Sequence, residues 1–89
     1  MSFKLVLTEK ATKDLEKLSE VEAKRIVRKL KKLNVSADPT VGARHLTNSN
    51  IGDLRFRVGD YRMIGVVDDR QKLIIIVKIG HRREIYRNV

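Results

Sequence analysis

The side chains best suited to chemistry in this chain are arginines that alternate with apolar residues. Residues 54–58 read LRFRV, the period-two pattern of a strand with one buried and one solvated face, so Arg55 and Arg57 share the solvated face. Gly59-Asp60 is a two-residue turn signal that should place Arg57 directly opposite Arg62. Facing like charges destabilise a strand pair, and a planar guanidinium binds phosphate through two parallel hydrogen bonds. The spacing therefore predicts a phosphate-binding site.

Groups able to transfer protons follow the last apolar segment, where residues 80–86 read GHRREIY. Imidazole titrates near neutral pH, so His81 could serve as an acid or a base. Tyr86 could serve as a base if neighbouring cations lowered its pKa, and Arg82, Arg83 and Arg87 supply such cations in sequence. Each side chain also has a structural explanation, because a lone histidine is often merely exposed and a terminal tyrosine often packs over a core.

One reaction uses all of these groups. Cleavage of RNA by attack of its own 2′-hydroxyl requires a base at that hydroxyl, an acid at the leaving 5′-oxygen and positive charge around the phosphorus. It requires no metal. The arginines, His81 and Tyr86 include a candidate for each role. The sequence does not suggest the serine-histidine-aspartate or paired-carboxylate arrangements of acyl or glycosyl transfer.

The composition favours an acidic partner and gives no indication of a metal or cofactor. The 89 residues include 20 Lys and Arg against 11 Asp and Glu, a formal net charge of +9. Such a charge is typical of proteins that bind nucleic acid, although a basic surface can also be merely solubilising. Without cysteine and with only two histidines, neither disulfides nor a metal centre are expected. Beyond the hairpin and the proton-transfer groups, RNA contacts are predicted for Arg44, Lys78, Arg83 and Arg87.

Two short helices should support the site. A strand over Phe3–Leu7 precedes a first helix that Thr8 can cap, and Ser19 with Glu22 forms the capping box of a second helix. The short connection makes the helices antiparallel. Their predicted buried stripes are Ala11, Leu15 and Leu18 in the first, and Ala23, Ile26, Val27, Leu30 and Leu33 in the second.

The second half of the chain is predicted to be strands. An exposed polar loop over residues 44–52 precedes strands over Leu54–Val58, Tyr61–Val67 and Leu73–Ile79, the last of which is apolar on both faces and so belongs inside the sheet. The expected fold is α+β, a single domain over residues 1–89. Two antiparallel helices pack on one face of a four-stranded, mainly antiparallel sheet, and the arginines occupy the other face. Because the longest apolar run, residues 73–77, is too short to cross a bilayer, a cytoplasmic protein is expected.

The two motifs together, LRFRVGDYR over residues 54–62 and GHRREIY over residues 80–86, resemble the RelE/ParE toxin superfamily, and its RelE branch most closely. The order of strand, two helices and three strands also matches. The resemblance implies a metal-independent mRNA interferase that cuts mRNA in the ribosomal A site, leaves a 2′,3′-cyclic phosphate and is neutralised by a RelB-type antitoxin. It implies an active site of Arg55, Arg57, Arg62, Arg82 and Tyr86.

The sequence departs from the family pattern at several positions. Some relatives have lysines where Arg55 and Arg57 stand, and a guanidinium is a poorer proton donor, so we assign charge stabilisation to both arginines. The family acid corresponds to Arg82, while His81 beside it carries an imidazole, a side-chain type better suited to proton transfer near neutral pH, so either could be the acid. Gly65 occupies a position that is often aromatic in relatives. Residues 47–50, TNSN, lack the more usual Lys-Gly pattern.

Two other functions are compatible with this pattern. A gyrase inhibitor of the ParE branch would have the same fold without needing Tyr86 and the sheet arginines as a set. A noncatalytic RNA-binding module would be expected to carry aromatic stacking platforms, whereas this chain has two tyrosines, two phenylalanines and no tryptophan.

Overall fold

The protein is an α+β sandwich of one sheet and two helices. A computed structural model of the chain describes residues 3–36, 38–47 and 50–85. The elements in chain order are β1 (Lys4–Leu7), α1 (Glu9–Glu16), α2 (Glu20–Asn34), β2 (Arg44–His45), β3 (Leu54–Val58), β4 (Tyr61–Asp68) and β5 (Leu73–His81). The predicted fold class is confirmed.

The sheet has five strands in the order β1-β5-β4-β3-β2, not the four predicted. All neighbours are antiparallel except β1 and β5, which run parallel. The additional strand, β2, lies inside the segment predicted as an exposed loop and pairs Arg44 with Arg55 and His45 with Leu54. Two residues are too few to leave a period-two pattern, so the sequence does not reveal this strand. The interior position predicted for β5 is confirmed.

Both helices begin at the predicted caps. The Thr8 hydroxyl accepts a hydrogen bond from the Ala11 N–H (3.1 Å), and the Ser19 hydroxyl accepts one from the Glu22 N–H (3.3 Å). These bonds satisfy N–H groups that a helix cannot pair internally. α1 packs mainly on β5, while α2 packs on β1 and β3. The helices therefore cover the same face of the sheet.

The core lies between the helices and the sheet. Phe56, Met63, Ile74 and Ile76 are buried on the sheet side, and Ile26 and Leu33 are buried on α2. The stripe predicted for α2 is wrong at two positions, because Ala23 and Val27 line a surface groove instead. They lie on the flank of the helix that carries Asn34, whose side-chain oxygen accepts the Leu5 N–H of the edge strand β1.

Gly65 is explained by packing in the same core. A Cβ at this position would lie 3.2 Å from Ile74 Cγ2 and 3.4 Å from Phe56 Cε2, so even one added carbon would press on these two side chains. Phe56 and Ile74 occupy the space that an aromatic residue at position 65 would need. In the described part of the chain, neither helix combines the length and the apolar character needed to span a membrane.

Candidate functional site

The β3–β4 hairpin has the predicted register. Arg57 pairs with Arg62, and Val58 pairs with Tyr61, so the two arginines face each other across the ladder. Gly59 has a φ of 59°, a left-handed conformation that an L side chain adopts only with strain. The turn that fixes the register therefore depends on glycine at its first position.

Basic side chains gather on the sheet face opposite the helices. Residues paired across strands share a face, and two neighbouring rows on this face are basic. The first row consists of Arg44, Arg55, Ile64 and Lys78, and the second consists of Arg57, Arg62 and Gly80. The structure thus brings five of the predicted site residues onto one surface.

The Arg62 guanidinium is held at the turn. Its Nη1 donates hydrogen bonds to the carbonyl oxygens of Gly59 and Tyr61, both at 2.9 Å. The two carbonyl dipoles offset part of the repulsion from Arg57 in the free protein. Gly80, the cross-strand partner of Arg62, has no side chain to block this part of the surface. A Cβ on Gly80 would lie 3.3 Å from Cδ1 of the buried Ile85.

Arg82 joins the cluster at the same turn. Its backbone N–H donates to the Asp60 carbonyl (2.8 Å), and its Nε lies 3.8 Å from the Asp60 carboxylate. Both side chains are more than half exposed, so this ion pair contributes little to stability and Arg82 can exchange Asp60 for another anion. Arg83 is exposed.

His81 lies on the other face of the sheet from the arginines. It pairs with Tyr61, and the two rings meet edge to face with centroids 5.5 Å apart. Its Nδ1 accepts the Arg83 N–H at 3.1 Å. The structure therefore does not bring His81 together with the predicted arginine cluster. Tyr86 and Arg87, also predicted for the site, lie outside the described residues.

A β-bulge explains this separation. Gly65 pairs with Ile76 while Ile64 pairs with Lys78, which leaves Val77 as an extra residue in β5. One extra residue in a strand moves every side chain that follows it to the opposite face of the sheet. Without the bulge, His81 would share the face of the arginines and Lys78 would point into the core.

Sequence reasoning missed two residues near the site. Arg25 of α2 is exposed, and its Nη1 lies 3.5 Å from the position that a Cβ on Gly59 would take, so it reaches the turn that also binds Arg62. Asp14 of α1 lines a cleft of about 520 Å³ beside Ile79 and His81 at the end of β5. Both positions depend on how the helices cross the sheet, which the local sequence does not indicate.

The arrangement suits a polyanion. Guanidinium groups remain protonated under all ordinary conditions, so the cluster can bind and stabilise negative charge but supplies no base. The described residues around Gly59 include three arginines, namely Arg25 of α2, Arg62 of β4 and Arg82 of the turn after β5. This geometry is appropriate for a phosphate that gains charge during a reaction.

Comparisons with known proteins agree with the fold. A family model described as the ParE toxin of type II toxin-antitoxin system, parDE, matches residues 5–86. The RelBE2 toxin-antitoxin complex from Mycobacterium tuberculosis contains a similar chain, with a TM-score of 0.78 and 24% identity over 92% of this chain and 100% of that chain.

Two further solved structures are similar. The archaeal RelE-RelB complex from Pyrococcus horikoshii gives a TM-score of 0.73 and 25% identity, covering 94% of this chain and 99% of that chain. A mutant of E. coli toxin RelE in the free state gives a TM-score of 0.70 and 24% identity, and the match covers 97% of this chain and 92% of that chain. The comparison with curated proteins gave no match.

Proposed function

Because the chain belongs to the RelE/ParE superfamily of type II toxins, with a ParE toxin family match over residues 5–86, we propose that it is a ribosome-dependent endoribonuclease. The observation that carries this proposal is the pair of basic rows on one sheet face, with Arg57 opposite Arg62. A repulsive pair of this kind costs stability in the free protein and becomes favourable when a phosphate lies between the two groups.

The proposed reaction is an in-line transesterification of mRNA. The 2′-oxygen forms a bond to phosphorus, the bond from phosphorus to the 5′-oxygen breaks, and a 2′,3′-cyclic phosphate results. Arg57 and Arg62 stabilise the charge on the phosphorane, and Arg55, Arg44 and Lys78 hold flanking phosphates. Arg82, which lies at the turn, stabilises the negative charge on the leaving 5′-oxygen, which takes a proton from water and departs as a 5′-hydroxyl. By resemblance to the family, Tyr86 accepts the proton of the 2′-hydroxyl.

The ribosome supplies the geometry that the toxin lacks. Free mRNA is flexible, and orienting its reactive groups can contribute roughly 7 to 11 kcal/mol to lowering the barrier. We therefore expect naked RNA to be cut very slowly and RNA in the A site to be cut quickly. The proposal also places the protein in the cytoplasm, where translating ribosomes are found.

The proposed partner is a RelB-like antitoxin. Two of the similar solved structures are complexes of this kind, one named RelBE2 and the other RelE-RelB. The groove on α2 suits an acidic amphipathic segment. It has a volume of about 400 Å³, an apolar floor of Ala23 and Val27, and a rim on which three basic residues, Lys24, Arg28 and Lys31, outnumber the one acidic residue, Glu20. We expect Lys24→Glu with Arg28→Glu to weaken antitoxin binding at least tenfold in calorimetry. Lys32→Glu, exposed on the same helix outside the groove, is the control for reversal of a single charge; an affinity of the double variant equal to that of Lys32→Glu would contradict this placement.

The alternative function is inhibition of DNA gyrase. The ParE description of the matching family favours it. A gyrase inhibitor would not need the basic rows as catalytic groups. A noncatalytic RNA-binding module is less well supported, because Phe56 is buried and Phe3 and Tyr61 pack against the core.

The test compares the two activities in one preparation. The purified toxin is incubated with programmed ribosomes carrying an mRNA with an end label, and separately with gyrase and relaxed plasmid. We expect cleavage within the A-site codon and normal supercoiling. Inhibited supercoiling with intact mRNA would replace the nuclease proposal by its alternative.

A further inference from the structure

Asp14 makes a long-range contact that the proposed reaction does not use directly. It lies on α1, its side chain is 10% exposed, and its Oδ2 accepts a hydrogen bond from the Ile79 N–H of β5 at 3.1 Å. Its Oδ1 accepts a hydrogen bond from Lys10 Nζ at 2.7 Å. A carboxylate this well covered is costly unless its oxygens are paired, so its position is specific.

The contact falls where β5 loses its strand neighbour. β1 pairs with β5 only from Leu73 to Ile76, and the Thr8 N–H makes the last backbone bond, to the Ile76 carbonyl, before the chain turns into α1. Beyond that point the outer edge of β5 faces a helix. The bulge at Val77 directs the Ile79 N–H to this edge, where Asp14 accepts it.

The segment that follows carries part of the proposed site. Gly80 lies opposite Arg62, and Arg82 donates its N–H to Asp60 at the hairpin turn. Lys78, immediately before Ile79, belongs to the first basic row. The end of β5 is therefore fixed on its outer edge by Asp14 and on its inner edge by β4.

We propose that Asp14 is a positioning residue, which holds the end of β5 so that Lys78 and Arg82 keep their places relative to Arg57 and Arg62. The carboxylate acts as a hydrogen-bond acceptor for Ile79 and touches no substrate. Because a displacement of about 1 Å can slow an enzyme about 100-fold, the loss of this contact should be visible in the rate. The effect on cleavage rests on the proposed function, whereas the effect on the backbone does not.

The experiment compares Asp14→Ala with Asp14→Asn, which retains a side-chain oxygen acceptor. Amide hydrogen exchange of the purified toxin is measured together with single-turnover cleavage on ribosomes. In Asp14→Ala we expect exchange at Ile79 and Arg82 to accelerate at least tenfold while Met63 in β4 is unchanged, and cleavage to slow about 10- to 100-fold. Asp14→Asn should restore both readouts to within about threefold. Lys10→Ala, which removes only the ion pair, should resemble the wild type.

Several results would overturn the proposal. Unchanged exchange at Ile79 in Asp14→Ala would show that the contact does not hold the strand, and accelerated exchange with wild-type cleavage would show that the strand end need not be held. Asp14→Asn as slow as Asp14→Ala would assign the effect to charge instead. If Asp14→Ala does not fold, Asp14→Ser, whose hydroxyl is too short to reach Ile79, takes its place. If the wild-type toxin does not cleave mRNA, the proposed function fails, and the role of Asp14 is decided by exchange at Arg82.

Discussion

Replacing Arg62 separates a catalytic role from a structural one. Arg62 faces Arg57 across the hairpin, and its Nη1 donates two hydrogen bonds of 2.9 Å to backbone carbonyls of the turn. Arg62→Ala removes both the repulsion and the hydrogen bonds. The sequence alone suggests a gain in stability from relieved repulsion, but the two carbonyl contacts oppose that gain.

The two effects on stability are small and of opposite sign. A cross-strand charge pair contributes about 0.2 to 1 kcal/mol. A hydrogen bond to a charged group contributes about 1.5 to 3 kcal/mol, and less where water competes, as it does at this turn. Both bonds share one Nη1 and so count as about one, and the free energy of unfolding should therefore change by no more than about 2 kcal/mol. Loss of one donor to a charged transition state costs about 2.7 to 4 kcal/mol, which is about 100- to 1,000-fold in rate.

The assay is single-turnover cleavage of mRNA on programmed ribosomes, with the thermal midpoint measured in parallel. We expect Arg62→Ala to slow cleavage at least 100-fold, to bind ribosomes nearly as tightly as the wild type, and to keep a cooperative thermal transition. Arg70→Ala, which removes an exposed arginine from the turn between β4 and β5, is the matched control and should behave as the wild type. Wild-type cleavage by Arg62→Ala would remove this residue from the mechanism, and loss of the folded state would make its role structural.

Three further predictions test the surroundings of the cluster. Tyr86→Phe keeps the ring and deletes the phenol, so single-turnover cleavage should fall at least 100-fold if Tyr86 is the base, and a wild-type rate would exclude that role. Arg25→Ala should weaken ribosome binding several-fold and reduce the slope of log affinity against log salt by about 1, since Arg25 lies at the Gly59 turn; an unchanged slope would show that it contacts no phosphate. Gly52→Ala should destabilise the fold by about 1 to 3 kcal/mol in urea denaturation, because the new Cβ would lie 2.6 Å from Ile64 Cγ2 and 3.0 Å from the Gly65 carbonyl; an unchanged midpoint would show that this loop adjusts freely.

The sequence predicts the hairpin well because two independent signals agree there. The alternation over residues 54–58 gives the faces, and Gly59-Asp60 gives the register, so the opposition of Arg57 and Arg62 follows. The helix caps at Thr8 and Ser19 are equally local and are also confirmed. Features of this kind depend on neighbouring residues alone.

The position of His81 could not be predicted because it depends on a bulge. Residues 73–77 are apolar on both faces, so their pattern does not show where the alternation is interrupted. In the structure, the buried positions Ile74, Ile76 and Ile79 are spaced by two and then by three, which agrees with Val77 as an extra residue in the register. The contacts of Asp14 and Arg25 likewise depend on how the helices cross the sheet.

The most direct test of the proposed function is the ratio of two cleavage rates. The same labelled mRNA is incubated with the purified toxin either free in solution or positioned on programmed ribosomes with an empty A site. We expect cleavage within the A-site codon on ribosomes and rates lower by several orders of magnitude on naked RNA. Equal rates on both substrates would identify an ordinary ribonuclease, and the absence of cleavage on ribosomes would contradict the assignment of the arginine face to mRNA chemistry.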